Sequence, residues 1–252
     1  MTPLQVEITE NLLDTITTKL NESGFFCIEN AFKSNTIKEW KSEIKSLLEV
    51  HGNRYFSLIQ PWVDESSKFR CLAFDDNFRK LLHGLTQRGL EEGNSNNEIY
   101  NVLRVIAGKN HNEQSLKFHF DASVVTVLIP LEIPPGNPEE SGALVAFPNL
   151  RKIRSSSLVN GLEKALYQNP IARKFFASKI KNRTSEKNIY NLEVGNIYIF
   201  WGYRTLHANL ACKEDSLRAT LLFHHGDPHK GSTLTSFIKW TRRLRESRNL
   251  NQ

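Results

Sequence analysis

From Ile99 onward the chain is written as short apolar runs separated by turn residues, and this punctuation restricts the fold more than any other feature. Runs rich in β-branched and aromatic residues cover Ile99 to Ile106, Leu116 to Asp121, Val124 to Ile133, Ala143 to Phe147, Asn196 to Trp201 and Leu217 to His225. Breakers such as Gly108-Lys109-Asn110 and Pro134-Pro135-Gly136-Asn137-Pro138 separate them. Many short strands punctuated this way bury their apolar faces by stacking as two sheets or by closing into a barrel. The expected fold class is therefore mainly β with flanking helices (α+β).

Ahead of that region the periodicity is helical. Ile8, Leu12, Leu13, Ile16 and Leu20 recur at helical spacing before the stop Asn21-Glu22-Ser23-Gly24. Phe25-Phe26-Cys27-Ile28 reads as a short strand, and Ser34-Asn35-Thr36 precedes a second helix with Ile37, Trp40, Ile44, Leu47 and Leu48 on one face. His51 to Arg79 has no firm period and is expected as loop with short strands. Phe78 to Leu90 reads as a third helix, followed by an exposed loop through Asn97. Leu158, Leu162, Ala165, Leu166, Ile171 and Phe175 predict a helical insertion at about 149–190 within the β region. No repeat or linker divides the chain. Residues 1–252 are read as one domain: a mixed lead-in over 1–98, a β core over 99–230 and a basic C-terminal helix over 231–252.

Hydrophobic content of 39% and charged content of 24% are those of a soluble globular protein, and no apolar run is long enough to span a bilayer. The first residues lack the basic and apolar regions of a secretory signal, and the three cysteines, Cys27, Cys71 and Cys212, are too few and too scattered for a disulfide framework. A reduced, cytoplasmic setting is expected. The net charge of +6 permits an anionic partner without demanding one. Lys239, Arg242, Arg243, Arg245 and Arg248 read as the solvated face of a terminal helix more readily than as a nucleic-acid patch.

The chemistry gathers around His119-x-Asp121. Side chains alternate along a strand, so these two share a face and reach one ion. His207 follows the apolar run Ile197-Tyr198-Ile199-Phe200-Trp201 and supplies a second imidazole. Two imidazoles and one carboxylate form the facial triad that holds non-haem Fe(II) with positions left open. Singly, each is better read as an ordinary polar residue. Jointly, with Arg218 opening the next strand, they are read as a site. On that last strand Arg218, Thr220, Leu222 and His224 share one face, and Ala219, Leu221, Phe223 and His225 the other. Arg104, alone among apolar residues from Val102 to Ile106, either meets solvent on an edge or meets an anion in a pocket. Thr126, polar amid valines, is a candidate of the same kind. Lys117 would share the face of His119, and Tyr203 and Arg204 lie close before His207.

With His119-x-Asp121, then His207 after the strand Gly195 to Phe200, then Arg218 eleven residues on with Thr220 beside it, the chain resembles the Fe(II)- and 2-oxoglutarate-dependent oxygenases. Ser23 to Phe32 is also similar to the lead-in of their phytanoyl-CoA hydroxylase-like branch. The resemblance implies a double-stranded β-helix, a jelly-roll, cupin-like core. It implies His119, Asp121 and His207 as metal ligands, and Arg218 with Thr220 on the distal carboxylate of 2-oxoglutarate. Arg104 would hold the proximal carboxylate or an anionic substrate, with Thr126 in a similar role. Lys117, Tyr203 and Arg204 would contact substrate, and no catalytic side chain is needed beyond the ligands. The implied reaction takes Fe(II), 2-oxoglutarate and O2, hydroxylates an unactivated C–H bond of a small or carrier-bound substrate, and releases succinate and CO2. Asp121 argues against the related halogenases, which carry a small residue there. His224, where alkylation-repair demethylases carry a second arginine, argues against a nucleic-acid substrate. The alternative is a cupin-like metal-binding protein that has no turnover or makes no use of 2-oxoglutarate. Oligomeric state is not encoded legibly.

Overall fold

The computed structural model describes residues 3–90, 98–108, 115–151, 175–176, 178 and 188–227. The expected strands form, with small changes of boundary, over β3 (Ile99–Ile106), β4 (Val125–Glu132), β5 (Leu144–Phe147), β7 (Ile197–Trp201) and β9 (Arg218–His225). With β1 (Phe25–Ile28), β2 (Phe56–Ile59), β6 (Ile189–Tyr190) and β8 (Leu206–Asn209) they make two antiparallel sheets. The larger has the order β1-β7-β4-β9-β3-β2, and the smaller β6-β5-β8.

Alternation along each strand sends its residues to two different cores. Leu103, Val127, Ile199, Leu221 and Phe223 pack on one face of the large sheet against α1 (Glu10–Glu22), α2 (Ser34–His51) and α3 (Asp76–Gly89), through Leu13, Ile16, Trp40, Phe78 and Leu81. Their alternates Leu128, Tyr198, Phe200 and Leu222 meet Leu144 of the small sheet on the other face. The molecule is thus a sandwich of two sheets with helices on the outside of one, an α+β jelly roll as expected. Among the described residues, no helix is long and apolar enough to cross a membrane.

Several boundaries differ from expectation for local reasons. The first helix begins at Glu10, not Ile8, because the Thr9 hydroxyl accepts the amide of Leu12 and ends the helix there; the Ile8 amide turns instead to Asn77 Oδ1. The stretch from His51 to Arg79 contains β2 and two 3₁₀ turns, Pro61–Val63 and Lys68–Phe74. Leu116 to Asp121 is not a continuous strand: Leu116 sits at φ 52, and only His119 bridges to His207. The short strands β6 and β8 were not expected. β6 pairs with β5, so the upper end of the 149–190 interval is sheet, while most of the expected insertion and the expected C-terminal helix lie outside the described residues.

Candidate active site

The triad is assembled by one backbone bridge and one turn. His119 and His207 exchange both backbone hydrogen bonds at 3.0 Å, which brings their ring centroids to 4.3 Å. Asp121 is held two residues further by its amide, donated to the carbonyl of Gly202 at 3.0 Å. The imidazole nitrogens and the carboxylate then converge: His119 Nε2 lies 3.7 Å from Asp121 Oδ1, and His207 Nε2 lies 3.6 Å from Oδ2. All three ligand atoms fall within 4.8 Å of one another.

The tautomers follow from the partners. Nδ1 of His119 lies 2.8 Å from the Lys117 carbonyl, and Nδ1 of His207 lies 3.1 Å from the Thr205 carbonyl. A carbonyl only accepts, so both Nδ1 atoms carry hydrogen and both Nε2 atoms face the shared point. Withdrawal from water, then His207 and more weakly Arg104, push the His119 pKa down to about 3 against the pull of Asp121, so its ring is neutral. Burial alone would raise the Asp121 carboxyl, but His207, His224, His119 and the Thr126 hydroxyl together hold it well below the usual carboxylate range. Thr126 donates to Asp121 Oδ2 at 2.6 Å, and His224 Nδ1 stands 3.6 Å from the same oxygen. A neutral His119 ring and an ionised Asp121 carboxylate are the states in which these groups bind a divalent ion.

Arg218 occupies the same inter-sheet space from the start of β9 and is 1% exposed. Its Nη2 donates to Asn209 Oδ1 at 3.0 Å; among the described residues its Nε has no acceptor and no carboxylate pairs with it. Burial, reinforced by Arg104, pushes its pKa down to about 10 against the opposing effect of Cys212. A buried guanidinium left this way favours an anion that can take both of its forked donors. His207 and Asn209 alternate on β8, so one four-residue strand presents a candidate metal ligand and the partner of Arg218 on the same face.

Thr220 is buried on the face of Arg218, in register with Arg104 on β3. Arg104 therefore faces inward and is partly exposed. The side chain of Lys117 is exposed, and its carbonyl orients His119. Tyr203 is buried under the guanidinium of Arg151, 3.7 Å from its ring centroid. Arg204 donates to Asn21 Oδ1, which also accepts from Trp201 Nε1, at the end of α1. Asn209 and two glycines were not singled out from the sequence, and His224 was placed on the face of Arg218 without a role at the triad. A Cβ at Gly202 would collide with the Thr126 hydroxyl and crowd Asp121; one at Gly142, which sits at φ 69, would strike Cys212 Sγ and lie 2.9 Å from Arg218 Cδ. Had β8 been read as a strand, period two from His207 would have reached Asn209.

No protein-family model and no curated protein sequence matches the chain. Its fold does match solved structures. SnoK, a non-heme alpha ketoglutarate dependent carbocyclase from nogalamycin biosynthesis, aligns over 92% of this chain and 93% of its own, with a TM-score of 0.53 at 14% identity. Prolyl 4-hydroxylase from Phytophthora capsici aligns over 96% and 78%, with a TM-score of 0.56 at 14% identity. The epimerase SnoN, solved with Fe3+, alpha ketoglutarate and nogalamycin RO, aligns over 87% and 85%, with a TM-score of 0.53 at 13% identity. At such identities the likeness is one of fold.

Proposed function

We propose that this chain is an Fe(II)- and 2-oxoglutarate-dependent oxygenase that hydroxylates an unactivated C–H bond of a small or carrier-bound substrate and releases succinate and CO2. The observation that carries this reading is the pairing, in one inter-sheet space, of converging donors from His119, Asp121 and His207 with the buried guanidinium of Arg218. Two imidazoles and one carboxylate suit Fe(II) and leave positions open. The orphaned Nε of Arg218 suits a carboxylate. The fold shared with enzymes described as alpha ketoglutarate dependent supports the same reading. The lead-in from Ser23 to Phe32 favours the phytanoyl-CoA hydroxylase-like branch, and three free cysteines suit a cytoplasmic protein.

When bound, iron and 2-oxoglutarate supply the activation of O2. The protein's share is positional. The carbonyls of Lys117 and Thr205 fix the two imidazoles, and Thr126 fixes the carboxylate of Asp121. Asn209 steadies Arg218, whose forked donors, with the Thr220 hydroxyl, would hold the distal carboxylate of the co-substrate.

The test is anaerobic. Fe(II) and then 2-oxoglutarate are added to the purified protein, and the weak visible charge-transfer band of the chelate is recorded beside Arg218→Ala and His207→Ala. A band that weakens in the first variant and vanishes in the second is expected. No band in wild-type protein that is folded and binds iron would leave a cupin-like metal-binding protein that does not use 2-oxoglutarate.

A further inference from the structure

We propose that Arg151 is a positioning residue for the metal triad: its guanidinium clamps the segment that carries His119 and Asp121 against the turn that leads into His207. The inference rests on the oxygenase reading and adds to it a residue that acts through others. Arg151 follows β5 and is 5% exposed. Its guanidinium carbon lies 4.1 Å from the ring centroid of Phe120 and 3.7 Å from that of Tyr203, and both rings are buried. Its Nε donates to the Tyr203 carbonyl, and the neighbouring amide of Leu150 donates to the Arg204 carbonyl at 3.0 Å.

The role follows from what these contacts hold. Phe120 is the residue between His119 and Asp121. Tyr203 stands between Gly202, whose carbonyl receives the Asp121 amide, and Thr205, whose carbonyl orients the His207 imidazole. One guanidinium therefore braces the backbone behind all three ligands. Phe120 packs in one apolar cluster with Val145, Leu206 and Ala208, and the last two alternate with His207 along β8. The brace thus lies on the face of the small sheet turned away from the point where the ligand atoms converge. The segment needs such support, because it forms no continuous ladder and joins the sheet through the bridge of His119 to His207. Ligands left loose must be ordered when the metal binds, which lowers affinity. Arginine suits the place: its guanidinium is flat and weakly hydrated and lies against ring faces while its edge donates hydrogen bonds, whereas a lysine ammonium is compact and strongly hydrated.

The test uses the full chain and Co(II) alone, whose visible d–d absorption reports the geometry of its ligands and whose affinity is read in the same titration. Arg151→Met should bind Co(II) about tenfold or more weakly than wild type and with an altered spectrum, as loss of a group that orients metal ligands does. Arg151→Lys should fall between the two, and Tyr203→Leu should reproduce the loss. Combining Tyr203→Leu with Arg151→Met should add little, since both remove the same contact. Asp75→Ala, which removes the cap of α3 on the other side of the large sheet, controls for lost stability alone and should bind Co(II) as wild type does. Wild-type affinity and spectrum in Arg151→Met or in Tyr203→Leu would overturn the proposal, as would two losses that simply add or an equal loss in Asp75→Ala. Where Arg151→Met yields no folded protein, Arg151→Lys and Tyr203→Leu decide by the same criteria. Failure of the wild-type protein to bind Co(II) would instead overturn the metal-site reading beneath it.

Discussion

At the scale of single residues, the site divides into groups that bind and groups that aim them. His119, Asp121, His207 and Arg218 are legible in the sequence because few other arrangements put those donors at those intervals. Asn209, Thr126 and Gly202 are not, because amides, hydroxyls and small residues occur everywhere and acquire meaning only from what they touch. Asn209 makes the sharpest case. Its Oδ1 accepts a hydrogen bond from the Arg218 guanidinium at 3.0 Å, and it carries no charge of its own. Asn209→Ala removes a bond to a charged group, worth about 1.5–3 kcal/mol. Arg218 would then sample other rotamers, and 2-oxoglutarate affinity should fall by about tenfold or more. Because Asn209 does not touch the triad, Fe(II) affinity measured without co-substrate should be unchanged. Anaerobic titration checks both, and an unchanged 2-oxoglutarate affinity would show that Arg218 is positioned by other contacts.

At the scale of elements, the strands with long apolar runs were readable and the two that finish the site were not. β8 is only Leu206-His207-Ala208-Asn209, too short and too polar for alternation to stand out. The segment around His119 fails as a strand because the left-handed Leu116 and the bends after Asp121 break its ladder, yet the single bridge to His207 suffices to place the ligand. Function here rides on the least regular pieces, while the regular ones serve as their foundation. That foundation has its own polar anchor. Asp75, 1% exposed, caps α3 by accepting the Phe78 amide at 2.8 Å and also accepts the Leu4 amide at 3.3 Å, tying the N-terminal segment to the helix. Asp75→Ala loses a cap and strands a second buried donor, so urea unfolding should show a loss of about 1–3 kcal/mol. The remaining folded protein should bind Fe(II) and 2-oxoglutarate as wild type does, since none of these contacts reaches the space between the sheets.

At the scale of the molecule, the two cores carry unequal loads. The larger one, between the helices and the large sheet, contains most of the buried apolar side chains, whereas the inter-sheet cluster is small and gives way to polar groups at the site. Such a division lets the fold tolerate a buried cation whose loss of hydration is poorly compensated by its neighbours. Arg218, fully buried and without a carboxylate partner among the described residues, is that cation. Replacing a poorly compensated buried charge by an apolar side chain of similar reach is often neutral or stabilising. Arg218→Met should therefore melt at the same temperature as wild-type apoprotein or higher. Ligand should reverse the order. With metal bound, 2-oxoglutarate at about a hundred times its dissociation constant stabilises the wild type by about 2.7 kcal/mol. For a chain of this size each kcal/mol is worth about 2–4 °C, so the wild type should gain about 5–10 °C while Arg218→Met gains almost nothing. Differential scanning calorimetry on the two proteins, with and without co-substrate, measures the crossing. A variant that melts well below the apo wild type would mean that Arg218 is a structural residue, and an equal gain in both would remove it from the co-substrate site.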